Sequence, residues 1–191
     1  MALKLFGRTV ADEELAAAVG AFDQAALSVR RKGRKLLVRV RHEYFKIQER
    51  HFFREQGGDL IVKNEALEKT ETAPRDVAIR SFLRQVAGAR ALGARRIIAL
   101  AAGSAEAPGL IGFYLLPRFG FNAPLTDDEI RFLPQRFAQA RSLNELLLLG
   151  GKEWWKAHGY DRKVFFDLGE NSSMMQVLKA YVAELQQQGR L

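Results

Sequence analysis

Leu15, Val19, Phe22, Ala26 and Val29 recur at helical spacing behind Asp12, Glu13 and Glu14, whose carboxylates favour a helix N-terminus, so the pattern predicts a first helix from Asp12 to about Val29. Arg31 to Lys35, with Gly33 inside, ends it. Between Leu36 and Ile47, Val38 and Val40 alternate with Arg39 and Arg41, the period of a half-buried strand, and Glu49 to Glu55 is the expected hairpin partner. Gly57 and Gly58 form a turn, after which Leu60, Ile61 and Val62 begin a strand reaching about Leu67. Ile79, Phe82, Leu83 and Val86 then mark one face of an amphipathic helix from Val77 to Leu92, with Gly93 placed to cap it. Arg96 to Ala101 is a short apolar run suited to a buried strand. Strand, helix and buried strand together predict a βαβ unit with parallel strands and a right-handed crossover.

Further on, Leu110 to Leu116 reads as a short helix closed by Pro117, Arg118 and Gly120, and Phe121 starts another extended piece. Asp127 to Arg141 and Leu143 to His158 read as helices, and Lys163 to Leu168 as a strand. A last helix starts near Ser172, where Met174, Val177, Leu178, Tyr181 and Leu185 make a core stripe. Trp154 and Trp155 are adjacent on a helix and cannot both face one core, so one is expected at a rim. No repeat or linker interrupts this order, so the expectation is one domain over residues 1–191, of α+β class, with a central mixed β-sheet flanked by helices.

Composition narrows the chemistry. With 48% hydrophobic and 27% charged residues in 191, the chain has the profile of a globular protein with a sizeable core. The absence of cysteine and the wide separation of His42, His51 and His158 argue against a disulfide framework, a zinc finger and a thiol nucleophile, and no metal site is expected. Met1 to Glu13 contains no apolar stretch of leader length, and the run from Leu110 to Pro117 is too short to span a bilayer. The expectation is therefore a cytoplasmic protein with no membrane partner.

The net charge of +8 is unevenly spread: Arg30 to Arg54 holds ten basic residues against Glu43 and Glu49, and so carries the whole excess. Tyr44, Phe45, Phe52 and Phe53 interleave with these cations, the composition of a surface that meets phosphates and stacks bases. In that reading Arg39, Arg41 and Lys46 contact nucleic acid. The other reading is a solvated strand pair with long basic side chains, and the residues alone leave both open.

The order of elements around the βαβ unit resembles the GNAT acetyltransferase superfamily, in which a strand leads into a pyrophosphate loop of pattern R/Q-x-x-G-x-G/A, then a helix, a buried strand, a short helix and a Gly-Phe. Here Arg75-Asp76-Val77-Ala78-Ile79-Arg80 occupies the loop and Gly120-Phe121 the terminal pair. Gly112 to Phe121 is similar to a Gly-Tyr-Tyr-x-Trp-Pro-Arg-x-Gly-Phe variant of that family. The likeness covers about residues 59 to 123. It implies that Leu67, Arg75, Val77, Ala78, Ile79, Arg80 and Ser81 hold acetyl-coenzyme A, with backbone amides converging on the pyrophosphate at a helix N-terminus. The sequence departs from the family where the two loop glycines would stand, at Ala78 and Arg80. Without a coenzyme, the same residues are simply a helix start with Asp76 as N-cap and Pro74 ahead of it.

The family's tyrosine acid stands four residues before the Gly of Gly-Phe, which here is Leu116. Tyr114 is nearby, but two residues along a helix turn its hydroxyl by roughly 200°. A general base comes from the strand before the loop, where Glu65 and Glu68 are available; at odd spacing they face opposite sides of a regular strand. The function implied is acyl transfer, most simply acetyl, from coenzyme A to a primary amine of unknown acceptor. The alternative is a catalytically silent domain of the same fold that docks nucleic acid or protein through Arg30 to Arg54.

Overall fold

The computed structural model describes residues 3–106 and 109–191. In chain order the elements are β1 (Leu3–Leu5), β2 (Arg8–Val10), α1 (Asp12–Val19), β3 (Ala26–Lys32), β4 (Lys35–Arg41), β5 (Phe45–Arg54), β6 (Leu60–Lys69), α2 (Val77–Ala91), β7 (Ala94–Ala101), α3 (Gly112–Arg118), α4 (Asp127–Phe132), α5 (Leu143–Leu148), α6 (Lys152–His158), β8 (Arg162–Asp167) and α7 (Ser173–Gln187). β1 and β2 pair with each other, and the remaining strands form a mixed six-stranded sheet in the order β3-β4-β5-β6-β7-β8, flanked by helices. This is the α+β class that the alternation of elements predicts. The chain divides into two compact units, residues 1–97 and 98–191.

In the first unit α1 stops at Val19, ten residues short of the expected end. Gly20 takes the left-handed conformation at φ +72°, and its N–H caps the helix. A Cβ there would run into the Ser81 carbonyl oxygen, so only glycine fits. Ala26 to Lys32, expected as helix, pairs antiparallel with β4, and Val29 stands opposite Val38 with 38% of its surface exposed. The apolar spacing there suits period two as well as 3.6, and the cross-strand partner decides. Gly33 is the first of two turn residues between Lys32 and Lys35; its φ of +57° gives the hairpin a twist that matches its strands. β5 starts at Phe45, earlier than expected, because the chain turns at His42 to Tyr44 and Phe45 bridges back to His42. One face of the sheet sends Leu36, Val38, Val40, Phe52 and Val62 into the core with Leu15, Val19, Val77, Phe82 and Val86 of the helices. Full burial of a side chain such as Phe52 is worth about 1.5–3 kcal/mol.

In the second unit the expected helix from Asp127 to Arg141 ends at Phe132, because Pro134 has no N–H to continue it, and a 3₁₀ turn at Gln135–Phe137 follows. Leu143 to His158 is two helices separated at Gly150 and Gly151. Pro117 does not close its helix from outside but sits in the last turn of α3. A proline there cannot donate to the Phe113 carbonyl one turn back, and that oxygen instead accepts from the Trp155 indole N–H at 2.8 Å. Trp155 is 1% exposed while Trp154 is half-buried and stacks on His158, which divides the two indoles as the helix geometry requires. Ser172 caps α7 by accepting from the Met175 N–H.

Candidate functional site

Of the residues expected to hold a coenzyme, all belong to the first unit, but they point in different directions. Val77 and Ile79 are buried in the core. The Ser81 hydroxyl donates to the Gly20 carbonyl at 2.7 Å and accepts from Gln48 Nε2 at 3.1 Å, which commits it to the fold. Leu67, Arg75 and Arg80 are exposed and Ala78 is half-buried. Asp76 stands at the N-cap position without a side-chain cap bond. The Val77 N–H bonds to the Pro74 carbonyl and the Arg80 N–H makes the first helical bond, to Asp76, so the amides of Ala78 and Ile79 fall in the turn that no intrahelical carbonyl reaches.

The strand that feeds this loop is irregular. Arg50 pairs with Asn64 and Glu49 with Ala66, which leaves Glu65 as an extra residue, a β-bulge. A second shift between Phe45 and Ile47 leaves Lys46 extra. The bulge changes the parity of β6, so Glu65 and Glu68 do not face opposite sides as their odd spacing predicts. Glu65 lies beside His51, and Glu68 stands opposite Ile47, both on the face away from the core.

On that face Glu65 pairs with Lys63 Nζ at 2.5 Å and approaches His51 Nδ1 at 3.6 Å. The other ring nitrogen, Nε2, donates to Glu49 at 3.0 Å, and Glu49 in turn accepts from Arg39 Nε at 2.5 Å. The Arg39 hydrogen bond holds the Glu49 carboxyl below its ordinary range; burial opposes this and His51 adds to it. Glu68 makes an exposed pair with Lys46 at 3.3 Å. The arrangement is an imidazole held between two carboxylates, a geometry suited to passing protons along the sheet surface.

The opposite, core-facing side carries a polar layer. Asn64 and Gln85 exchange amide hydrogen bonds at 3.0 and 2.7 Å. Arg50, 2% exposed, donates from Nη1 to the carbonyls of Glu49 and Ala66, both at 3.0 Å, and so holds the bulge from behind. Burial lowers its pKa to about 9. Sequence reasoning singled out none of Glu49, Arg50, His51, Gln48 or Gln85 as a site residue. The available signal was phase: Gln48 and Arg50 fall at the core-facing parity of Phe52, where an amphipathic strand places apolar residues.

Tyr114 belongs to the second unit, half-buried on α3, with the Arg118 guanidinium 5.4 Å and Lys156 Nζ 5.6 Å from its ring centre. Of the aromatics interleaved with the basic segment, Phe45 and Phe52 are core residues and cannot stack on bases. A cleft of about 780 Å³ in the first unit is lined by Leu15, Phe22, Leu27, Val29 and Arg84 among others, none of them an expected site residue. Among the described residues no group of three His, Asp or Glu is placed to hold a metal ion, and no helix is long and apolar enough to cross a membrane. No protein-family model, curated protein or solved structure matches the chain.

Proposed function

We propose that the protein transfers an acyl group, most simply acetyl, from coenzyme A to a primary amine, as the likeness of its Arg75–Arg80 loop and Gly112–Phe121 segment to GNAT enzymes implies. The observation that carries this reading is the start of α2: the Ala78 and Ile79 amides lie ahead of the first helical bond, with Arg75 and Arg80 exposed beside them. Two amides, a helix dipole and two guanidinium groups suit a pyrophosphate. Ser81, Val77 and Ile79 contribute no side chain to it, so Arg80 replaces by charge what the missing glycine would have given by close approach.

In the reaction the amine nitrogen attacks the thioester carbonyl carbon, the carbon–sulfur bond breaks, and the sulfur leaves as thiolate. The proton released from nitrogen passes to Glu65, directly or through water, with His51 behind it as a second acceptor. A thermal-shift titration tests the binding step. Acetyl-coenzyme A at 100 times its dissociation constant should stabilise the fold by about 2.7 kcal/mol, and pantetheine much less. Arg80→Gly should weaken that response, and Glu65→Gln should leave it intact while slowing acetylation of a generic amine about 10²- to 10⁴-fold. No response to the coenzyme in wild type or in the Ala78→Gly, Arg80→Gly double variant would end this reading.

A further inference from the structure

The register of the first hairpin collects the basic residues in a way the sequence does not show. Lys32 stands opposite Lys35, Arg30 opposite Leu37, and Arg39 and Arg41 opposite Ser28 and Ala26. With Leu36, Val38 and Val40 turned into the core, Arg30, Lys32, Lys35, Arg39 and Arg41 share the other face, and all five are exposed. Arg34 adds a further exposed cation at the turn. At about 3.3 Å per residue the β4 portion, Lys35 to Arg41, is about 20 Å long, and its neighbour strand is about 4.8 Å away. Arg39 pairs with Glu49, but among the described residues no carboxylate lies within ion-pair distance of Arg30, Lys32, Arg34, Lys35 or Arg41. On the adjoining strands β5 and β6 the cations Lys46 and Lys63 are matched by Glu68 and Glu65.

Like charges directly opposite in a sheet are destabilising, so the fold gains nothing from Lys32 facing Lys35. Their arrangement suits an extended polyanion. We propose that this face of the β3–β4 ribbon docks on the sugar–phosphate backbone of a nucleic acid. A single small anion would engage one or two of these groups, not a row about 20 Å long. A lipid surface would select for apolar side chains able to enter it, and Arg30 to Lys35 contains none. A twisted two-stranded ribbon has the width that a duplex major groove admits. Phe45 and Phe52 are in the core and cannot stack on bases, so the contacts are chiefly with phosphates and binding is driven by counterion release. Arg39 and Lys46, expected from the sequence to meet phosphates, are engaged with Glu49 and Glu68, so the contacts fall to Arg30, Lys32, Arg34, Lys35 and Arg41. This inference does not depend on acyl transfer.

Fluorescence anisotropy with a labelled duplex and a labelled single strand, over about 50 to 200 mM salt, tests it. With five phosphate contacts the plot of log K against log salt should have a slope of about −4.5 on duplex and about −3.5 on a single strand. Replacing Arg30, Lys32 and Lys35 by Gln should reduce the duplex slope by about 2.7, and the charge-keeping variant R30K, K32R, K35R should bind as wild type does. Replacing Arg136, Lys163 and Lys179 of the second unit by Gln removes the same charge and should leave binding unchanged. Absence of binding at low salt, equal weakening by the second-unit variant, or equal affinity for polyglutamate or anionic vesicles would each overturn the proposal.

Discussion

Each unit holds an arginine largely out of solvent, Arg50 fully buried and Arg162 with its side chain 10% exposed, and the two are handled in opposite ways. Arg162 in the second unit pairs with Glu129, donates to the Pro124 carbonyl, and lies 4.7 Å from the ring centres of both Trp155 and Tyr160. Glu129 is also fixed, since its carboxylate accepts from the Thr126 N–H in a capping box. Arg50 in the first unit has two backbone carbonyls and no carboxylate within ion-pair distance among the described residues. Its charge is held in place by geometry, and burial depresses its pKa. The difference separates a charge that stabilises a fold from one kept for what it positions. Arg162 joins α4, α6 and β8 of its unit, whereas Arg50 caps the carbonyl of Ala66 beside the bulge that turns Glu65 onto the open face.

The largest effect should come from breaking the matched pair. Glu129→Ala leaves the largely buried Arg162 guanidinium with one backbone acceptor and should cost about 3–5 kcal/mol in urea unfolding. A loss below about 1 kcal/mol would mean that the pair contributes no more than an exposed one and that the contrast with Arg50 is empty.

Arg50→Met sharpens the comparison from the other side. It removes the hydrogen bonds to the Glu49 and Ala66 carbonyls and also a desolvated charge, so at pH 7 it should cost less than about 1.5 kcal/mol. The pH dependence carries the diagnostic sign. Burial lowers the Arg50 pKa to about 9 in the folded chain, well below its ordinary value when unfolded, so above about pH 9 the unfolded chain binds the extra proton and stability rises with pH. Wild type should therefore gain on the Met variant above pH 9, by about 1.4 kcal/mol per pH unit at most. A flat difference from pH 7 to about 10.5 would show that the charge has a counterion after all.

How much of this was legible depends on the range of the interaction. α2, β7 and α7 follow from local patterns: an apolar stripe closed by Gly93, a short apolar run, and a stripe opened by Ser172. β3 was not legible, because Ala26 and Val29 satisfy a helical period and only pairing with β4 overrides it. Neither was the face shared by Glu65 and Glu68, since the bulge that sets it has no glycine or other mark in Asn64-Glu65-Ala66 and exists through its partner strand and Arg50. The total of basic charge was plain in the sequence. Its division into an unpaired β3–β4 face and a neutralised β5–β6 face was not, because that division depends on cross-strand register. His51 and Glu49 are a strand's i and i+2 neighbours, an unremarkable spacing that acquires meaning only when Arg39 and Glu65 arrive from adjacent strands.

The smallest effect concerns that network, where charges are matched as they are around Arg162 but on an open surface. Glu49→Gln removes the negative charge and one of the two oxygens that accept from Arg39 and His51 and should cost about 0.5–1 kcal/mol at pH 7, since Arg39 is largely solvated and the pair is screened. The Glu49 carboxyl titrates below its ordinary 4.5 when folded, so its contribution is complete above that value and is lost as pH falls through the lower folded pKa. The stability difference between wild type and the Gln variant should thus be level from pH 7 to about 5 and shrink towards pH 3. A cost approaching that of Glu129→Ala, or a difference that grows on acidification, would place the surface network on the same footing as the buried pair. The expected outcome instead leaves His51 and Glu65 free to exchange protons without unfolding the strands that carry them.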